Sequence, residues 1–465
     1  MVDARPPAVT PVAGKPALLL GAYDLESLGY QAEELFLSGS ATRYALAGPP
    51  TSDGAWNAAP AGRAPYRTRV VVVRPSDPAK FSGTMLVEWL NVTSGQEMPA
   101  VWMVAHREIL RRGHAYVAVS AQAVGVEGGA SVMGPSALNW GAALKKLDPA
   151  RYGGLSHPGD AFAYDIFSQA GAALKALKPQ RLIALGESQS AAFLTTYVNA
   201  VDRQAAVYDG FFIHSRFGAT ARLDGAPMDG RGTLSDVRFR PDLRAPVLAL
   251  ITETDLIGAR LPGYWAARRP DDAHLRVWEL AGAAHADGYL FAGAFTDNGA
   301  LSAERLAAVF WPAQRVAGSP LAKPCNPGVP HHYVAEAAIA ALDQWLRTGR
   351  PPASTPPIAF APPSLQTDAY GIARGGIRTP WTEVPTMLLS GVGNAGPFIA
   401  QLAGIGEPFD TATLAKLYPG GKDEYLRRFT AALDRAIATG HLLADDRAEI
   451  LAVAAINYDK APSSQ

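Results

Sequence analysis

The segment Leu182-Ile-Ala-Leu-Gly186-Glu187-Ser188-Gln189-Ser190 constrains the fold of this chain more than any other. The apolar run Arg181–Leu185 has the length and composition of a buried strand, and it stops abruptly at Gly186. A helical pattern begins near Gln189, so strand must give way to helix through a sharp turn with Ser188 in it. That is the geometry of a nucleophile elbow, written G-x-S-x-G. The small residue two before the serine allows the turn, and a small residue two after it avoids the neighbouring strand. Here Ser190 stands at the second position in place of glycine, which keeps the steric logic. Ala191 and Ala192 then let the helix sit close to the sheet. The competing role for Ser188 is a plain helix N-cap.

Around this turn, β-rich runs alternate with helical patterns, which predicts an α/β fold with a mainly parallel sheet. The expected strands are Glu33–Leu46, Tyr66–Arg74, Met85–Leu90, His114–Ala121, Arg181–Leu185, Val207–His214, Pro246–Ile251 and Leu275–Leu280. Helices are expected from about Pro99 to Arg112, over Ala161–Leu177 and over Val334–Arg347. In the last of these, Ala337, Ala338, Ala341, Leu342 and Trp345 fall at helical spacing. Residues 1–350 are read as a catalytic domain, with Phe217–Leu243 and Gly288–Pro330 as lid-like insertions. The Pro-rich stretch Thr348–Pro363 marks a boundary or wrapping arm. Residues 351–465 form an extension, helical at Leu426–Thr439, that packs on the main domain through residues such as Leu443, Ile450 and Leu451.

Composition narrows the function classes. Lys+Arg and Asp+Glu are both 42, so the formal net charge is zero and no polyanion or nucleic-acid partner is indicated. A hydrophobic fraction of 48% supplies a large core. The single cysteine, Cys325, excludes an intramolecular disulfide framework and a multi-cysteine metal site. The adjacent His331 and His332 cannot reproduce the spacing of an H-E-x-x-H site. No organic cofactor or metal is called for. Leu18, Leu19 and Leu20 are too short a run for a signal peptide or a membrane span. The location expected for the chain as written is cytoplasmic, and periplasmic or secreted if a leader has been removed. Oligomeric state is left open.

A serine hydroxyl needs a base to become a nucleophile, and in this kind of fold the partners follow in the order serine, acid, histidine. Thr252-Glu253-Thr254-Asp255 places carboxylates just past a strand, and Ala281-Gly282-Ala283-Ala284-His285 places a histidine in a small-residue loop after the last strand. The expected set is therefore Ser188 as nucleophile, His285 as base and Asp255 as acid, with Glu253 the alternative acid. His331, His332 and His157 are rivals to His285. Oxyanion donors are expected at Gln189, after the nucleophile, and at Val92 or Thr93, in the loop Asn91–Gly95 after the third strand. Asn91, Glu187, Trp89 and Trp102 are expected to bind substrate, with Trp140 and Phe193 as further candidates for an apolar pocket.

Several strings together resemble a known family. They are Val87-Glu-Trp-Leu-Asn-Val92, Gly186-Glu-Ser-Gln-Ser190, Thr252-Glu-Thr-Asp255, Arg276-Val-Trp-Glu-Leu-Ala-Gly-Ala-Ala-His-Ala-Asp287 and Gly375-Gly-Ile-Arg-Thr-Pro380. The chain resembles, from about Gly21 to its end, the bacterial alpha/beta hydrolase domain-containing proteins. The resemblance implies an α/β-hydrolase core acting as a serine esterase, with Ser188 and His285 in its site and the C-terminal extension part of the same unit. The expected substrate is a small-molecule carboxylic ester. The same residues would serve an acyltransferase, an amidase or a carbon–carbon hydrolase, and a non-catalytic binding protein on this scaffold is the reading from another class.

Overall fold

The computed structural model describes residues 6–129, 141–228, 234–316 and 318–462. Nine strands form one sheet: β1 Ala8–Val12, β2 Tyr30–Leu46, β3 Ala58–Pro75, β4 Thr84–Trp89, β5 Ala115–Val119, β6 Arg181–Glu187, β7 Gly210–His214, β8 Val247–Thr252 and β9 Leu275–Leu280. Their order is β1-β2-β3-β5-β4-β6-β7-β8-β9. The β1, β2, β3 and β5 pairings are antiparallel, and every pairing from β5 through β4 to β9 is parallel.

Both faces of the parallel part are covered, which is why these strands read as continuous apolar runs. Ile183 and Leu185 of β6, with Leu248 and Leu250 of β8, enter one core. Their neighbours Leu182 and Ala184, and Val247, Ala249 and Ile251, enter the other. The first face is packed by helix α1 (Ala100–Arg111) and by the helix His331–Thr348. The second is packed by the helices Ala163–Leu174 and Gln189–Thr196.

Each expected strand is present, and two edges differ from expectation. The β2–β3 hairpin is longer than its apolar centre, pairing from Tyr30↔Pro75 to Leu46↔Ala58 with a bulge at Arg43/Tyr44. Strand β1 lies in the Pro- and Ala-rich segment, where no strand is expected. Its first four residues are exposed, so it carries no alternation, and Pro11 is tolerated at a sheet edge.

The C-terminal extension is built into the first core. Tyr425, Phe429, Leu433, Ile450 and Val453 share it with Trp102 and Trp278. Polar contacts reinforce the union. Arg107 of α1 binds Asp297 at 3.1 Å and Glu449 at 2.8 Å, and Arg111 binds Asp446 at 2.7 Å. Ile377 bridges to Leu280 in parallel and extends the sheet beyond β9. Of the described residues of the 217–243 insertion, Ala219, Leu223, Val237, Phe239 and Leu243 pack into the second core, while Phe217 clusters with Ala286, Phe398 and Leu402. Residues 229–233 lie outside the described residues.

One buried carboxylate sets the path between β4 and α1. Glu88 accepts the N–H groups of Val101 (2.8 Å) and Trp102 (3.1 Å) and the hydroxyl of Tyr116 (2.7 Å). It thereby satisfies two of the free donors at the start of α1, while burial pushes its pKa up to about 8. Glu88→Ala leaves three buried donors without a partner and is expected to destabilise the fold by about 2–4 kcal/mol. Chemical denaturation monitored by circular dichroism checks this, and an unchanged midpoint would refute the assignment.

Candidate active site

Open α/β sheets bind ligands outside the carboxyl ends of their strands, where the strand order reverses. Here that point lies between β4 and β6. The chain runs from β4 to β5 on one side and returns to β6 on the other. The loop after β4 begins at Asn91, and the turn after β6 carries Ser188.

Ser188 has φ 55° and ψ −116°, a conformation that costs a non-glycine residue of order 1–3 kcal/mol. Three features hold it there. The Ser188 N–H donates to the carbonyl of His214, at the end of β7, at 3.0 Å. A Cβ on Gly186 would lie 2.9 Å from the Ser190 carbonyl oxygen, so the turn needs glycine at that position. The Ser190 hydroxyl donates to the Glu187 carbonyl at 2.9 Å and accepts the Glu187 N–H at 3.0 Å, closing the turn on itself. Serine in place of the second glycine is therefore a lock on the elbow. Ser188 makes no side-chain cap to its helix.

The Ser188 hydroxyl instead lies 2.9 Å from His285 Nε2. On the far side of the ring, Nδ1 lies 2.5 Å from Asp255 Oδ1. An ionised Asp255 can only accept, so Nδ1 carries the proton and Nε2 is free to take one from the serine. The other Asp255 oxygen accepts the N–H and the hydroxyl of Thr252, both at 2.8 Å. Thr254 Oγ1 accepts the His285 N–H at 3.1 Å and fixes the loop that presents the ring. Glu253, the alternative acid, turns the opposite way. Its carboxylate accepts Gly282 N–H (2.6 Å), Gly391 N–H (2.8 Å) and the Ser390 hydroxyl (2.9 Å), which secures the C-terminal extension.

The remaining expected residues divide. Asn91 donates from Nδ2 to the Glu187 carbonyl (3.2 Å) and to Glu187 Oε2 (3.1 Å), bringing both residues beside Ser188. The Val92 N–H donates to Gln189 Oε1 at 3.3 Å, and the Thr93 N–H donates to Asn91 Oδ1 at 2.8 Å. Both backbone donors are thus already engaged, whereas the Thr93 hydroxyl is buried without a partner. Trp89 and Trp102 do not meet the expectation that they line the site. Trp89 is fully buried against Phe167 and Phe193, and Trp102 donates from its indole to the Leu20 carbonyl, at 2.6 Å, beneath α1. Both are core aromatics, as is Phe193. Trp140 lies outside the described residues. His331 and His332 are buried at a helix start, and His157 binds the Ala121 carbonyl.

The family described as alpha/beta hydrolase domain matches residues 4–452. The chain belongs to that family. No curated protein is similar to this hydrolase at a significant level. Among solved structures, it is similar to an alpha/beta serine hydrolase without a lid from Xanthomonas campestris, at 12% identity and TM-score 0.28, covering 52% of this chain and 84% of that one. It is similar to a glucuronoyl esterase from Solibacter usitatus, at 12% identity and TM-score 0.30, covering 60% and 83%. It is similar to an acetyl xylan esterase from a Thermoanaerobacterium species, at 9% identity and TM-score 0.30, covering 58% and 81%.

In this hydrolase a cavity of about 60 Å³ opens beside Ser188 and His285. Asn91, Thr93, Ser94 and Glu187 form its polar side. Met98, Leu290 and Phe291 form part of its apolar side, together with Phe398, Ile399 and Leu402 of the extension. Its cover therefore comes from the 288–330 insertion and from the C-terminal segment. Phe217 lies against the His285 ring, with centroids 5.1 Å apart. Among the described residues, no group of three His, Cys, Asp or Glu side chains is arranged to hold a metal ion.

Sequence reasoning missed a second buried chain. His331 Nδ1 lies 2.6 Å from Asp287 Oδ2, and its Nε2 lies 2.8 Å from Nε2 of His214. His214 and Asp287 sit at strand and loop ends with no motif to single them out. The only signal was that both His331 and Asp287 flank the expected histidine loop or lie in its rival.

Burial alone would lower the pKa of His285, but Asp255, and behind it Glu187 and Asp287, outweigh burial and hold it above the ordinary histidine value. Asp255→Asn removes the largest of these favourable partners. The His285 titration followed by NMR is expected to move to lower pH in that variant. A midpoint that stays where it is in the wild type would remove Asp255 from this role.

Proposed function

We propose that this α/β hydrolase cleaves carboxylic esters through an acyl-enzyme formed on Ser188. The observation that carries the reading is the unbroken hydrogen-bonded chain from Ser188 through His285 to Asp255, with the serine at a strained turn above the sheet. Ser188 Oγ attacks the ester carbonyl while His285 Nε2 takes its proton. The same proton passes to the departing alcohol, and a water molecule then repeats the sequence to release the acid. Asp255 stays ionised, orients the ring and stabilises its cation.

The oxyanion that forms needs donors placed in advance. The N–H of Gln189 is one, because the first residues of a helix have no carbonyl behind them. For the second we assign the Thr93 hydroxyl, since the N–H groups of Val92 and Thr93 are engaged and this hydroxyl is unpartnered on a residue of the cavity wall. Thr93→Val keeps the shape and removes the donor. It is expected to lower kcat about 10- to 1,000-fold on p-nitrophenyl esters, and a kcat within twofold of wild type would return the role to Val92.

The nucleophile is tested directly by labelling with a fluorophosphonate and identifying the modified peptide by mass spectrometry. Label on Ser188, with ester turnover reduced by about 10⁴-fold or more in Ser188→Ala, is the expected result. Retained turnover in that variant would end the proposal. Because the base must be unprotonated and its pKa is raised, kcat/KM should fall as pH drops through a value above 6.5 and level off above it. A profile flat from pH 6 to 8 would contradict His285 as the base.

A further inference from the structure

The wall of the cavity beside Ser188 contains a carboxylate that the ester mechanism does not use. Glu187 is almost wholly buried, yet its side chain faces the same space as the reacting hydroxyl. One oxygen, Oε2, is held by Asn91 Nδ2 at 3.1 Å, which fixes the direction of the other. That other oxygen, Oε1, lies 3.6 Å from His285 Nε2 and accepts no hydrogen bond from any described residue. This oxygen opens to the cavity, and a substrate that displaces water from it without supplying a donor would leave it unpaired, which is unfavourable. The opposite wall offers nothing, being formed by Met98, Leu290, Phe291, Phe398, Ile399 and Leu402. A substrate that fills the cavity is therefore favoured when it brings the donor with it.

Resting on the esterase reading, we propose that Glu187 is the specificity residue of this site, and that it binds a hydroxyl or ammonium donor carried by a compact ester close to its scissile carbonyl. The preference for a compact ester follows from the cavity, whose 60 Å³ gives room for about four to six water molecules. The charge preference follows from the surroundings. Glu187 lines the cavity, and Asp255 and Asp287 add negative charge around His285, so an anionic group on the acyl moiety would be repelled while a donor would meet a free acceptor. Burial raises Glu187 to about pH 7, so a bound ammonium would also favour its ionised form.

The test compares isosteric esters in a pH-stat: ethyl glycolate and ethyl glycinate against ethyl propionate, with monoethyl malonate as the anionic member. Wild-type enzyme is expected to favour the two donor esters over propionate by about 10- to 100-fold in kcat/KM, with malonate poorest. In Glu187→Gln, which can still accept from Asn91, that ratio should shrink at least fivefold, mainly through KM. An unchanged ratio, with Ser188→Ala inactive, overturns the specificity role and leaves the esterase reading standing. Activity surviving in Ser188→Ala overturns the esterase reading itself. A second measurement needs neither the variant nor a good substrate: glycolamide and glycinamide should protect wild-type Ser188 from fluorophosphonate labelling at concentrations at least tenfold below those needed with propionamide. Equal protection by all three overturns the proposal.

Discussion

The left-handed backbone at Ser188 is the constraint on which the surrounding structure depends. A serine does not hold φ 55° unaided, and the means of holding it come from three directions. The β7 carbonyl of His214 takes its N–H, the absent side chain of Gly186 makes room, and Ser190 closes the turn beneath it. Because β6 lies beside β4 at the point where strand order reverses, the same turn faces the Asn91–Ser94 loop. Asn91 then reaches back to the Glu187 carbonyl, so the two loops are fixed relative to each other by the elbow itself.

The C-terminal extension is coupled to this centre through Glu253 rather than merely laid over it. That carboxylate sits two residues before Asp255 and three hydrogen bonds reach it, two of them from Ser390 and Gly391. The Thr254 hydroxyl, between them in sequence, donates to the Gly391 carbonyl at 2.5 Å and accepts from His285. One short helical turn, Glu253–Ile257, thus orients the histidine with one residue and anchors the extension with its neighbours. Phe398, Ile399 and Leu402, a few residues further on, are consequently held above Ser188. The pocket wall and the acid of the hydrogen-bonded chain share a single support.

This arrangement explains what could be read in advance. The parallel strands were legible because burial on both faces leaves uninterrupted apolar runs, and Ser188, Asp255 and His285 could be singled out as candidates because each follows a parallel strand within a few residues, in the expected order. The sequence favoured Asp255 over Glu253 without deciding between them, since both follow β8 and it is the contacts of Gly282, Ser390 and Gly391 that draw Glu253 aside. Strand β1 escaped because an exposed edge strand has no periodicity. Trp89 and Trp102 were misplaced because a large aromatic near a site motif looks the same whether it lines the cavity or, as here, supports it from the core. The His214–His331–Asp287 chain joins three distant stretches of sequence and leaves no local pattern at all.

That second chain bears on the first. His285 is surrounded by Asp255, Glu187 and, at longer range, Asp287, an excess of negative charge that holds its proton more firmly than a lone imidazole would. Left uncompensated, such a cluster would be costly to bury. His331 supplies part of the compensation by donating to Asp287, and His214, which burial keeps neutral, can in turn donate to His331. Asp287 also accepts the Leu290 N–H at 3.0 Å, at the start of the insertion that covers the cavity. The carboxylate oxygens of Asp255 and Asp287 and the ring nitrogens of His285 and His331 are therefore all taken up by neighbouring groups. His214 Nδ1 and the Thr93 hydroxyl stay buried without a partner, and Glu187 Oε1 accepts no hydrogen bond; of these residues, Thr93 and Glu187 line the cavity beside Ser188. The open atoms on the cavity wall, unlike those left unpaired in the core, are the ones a substrate can meet.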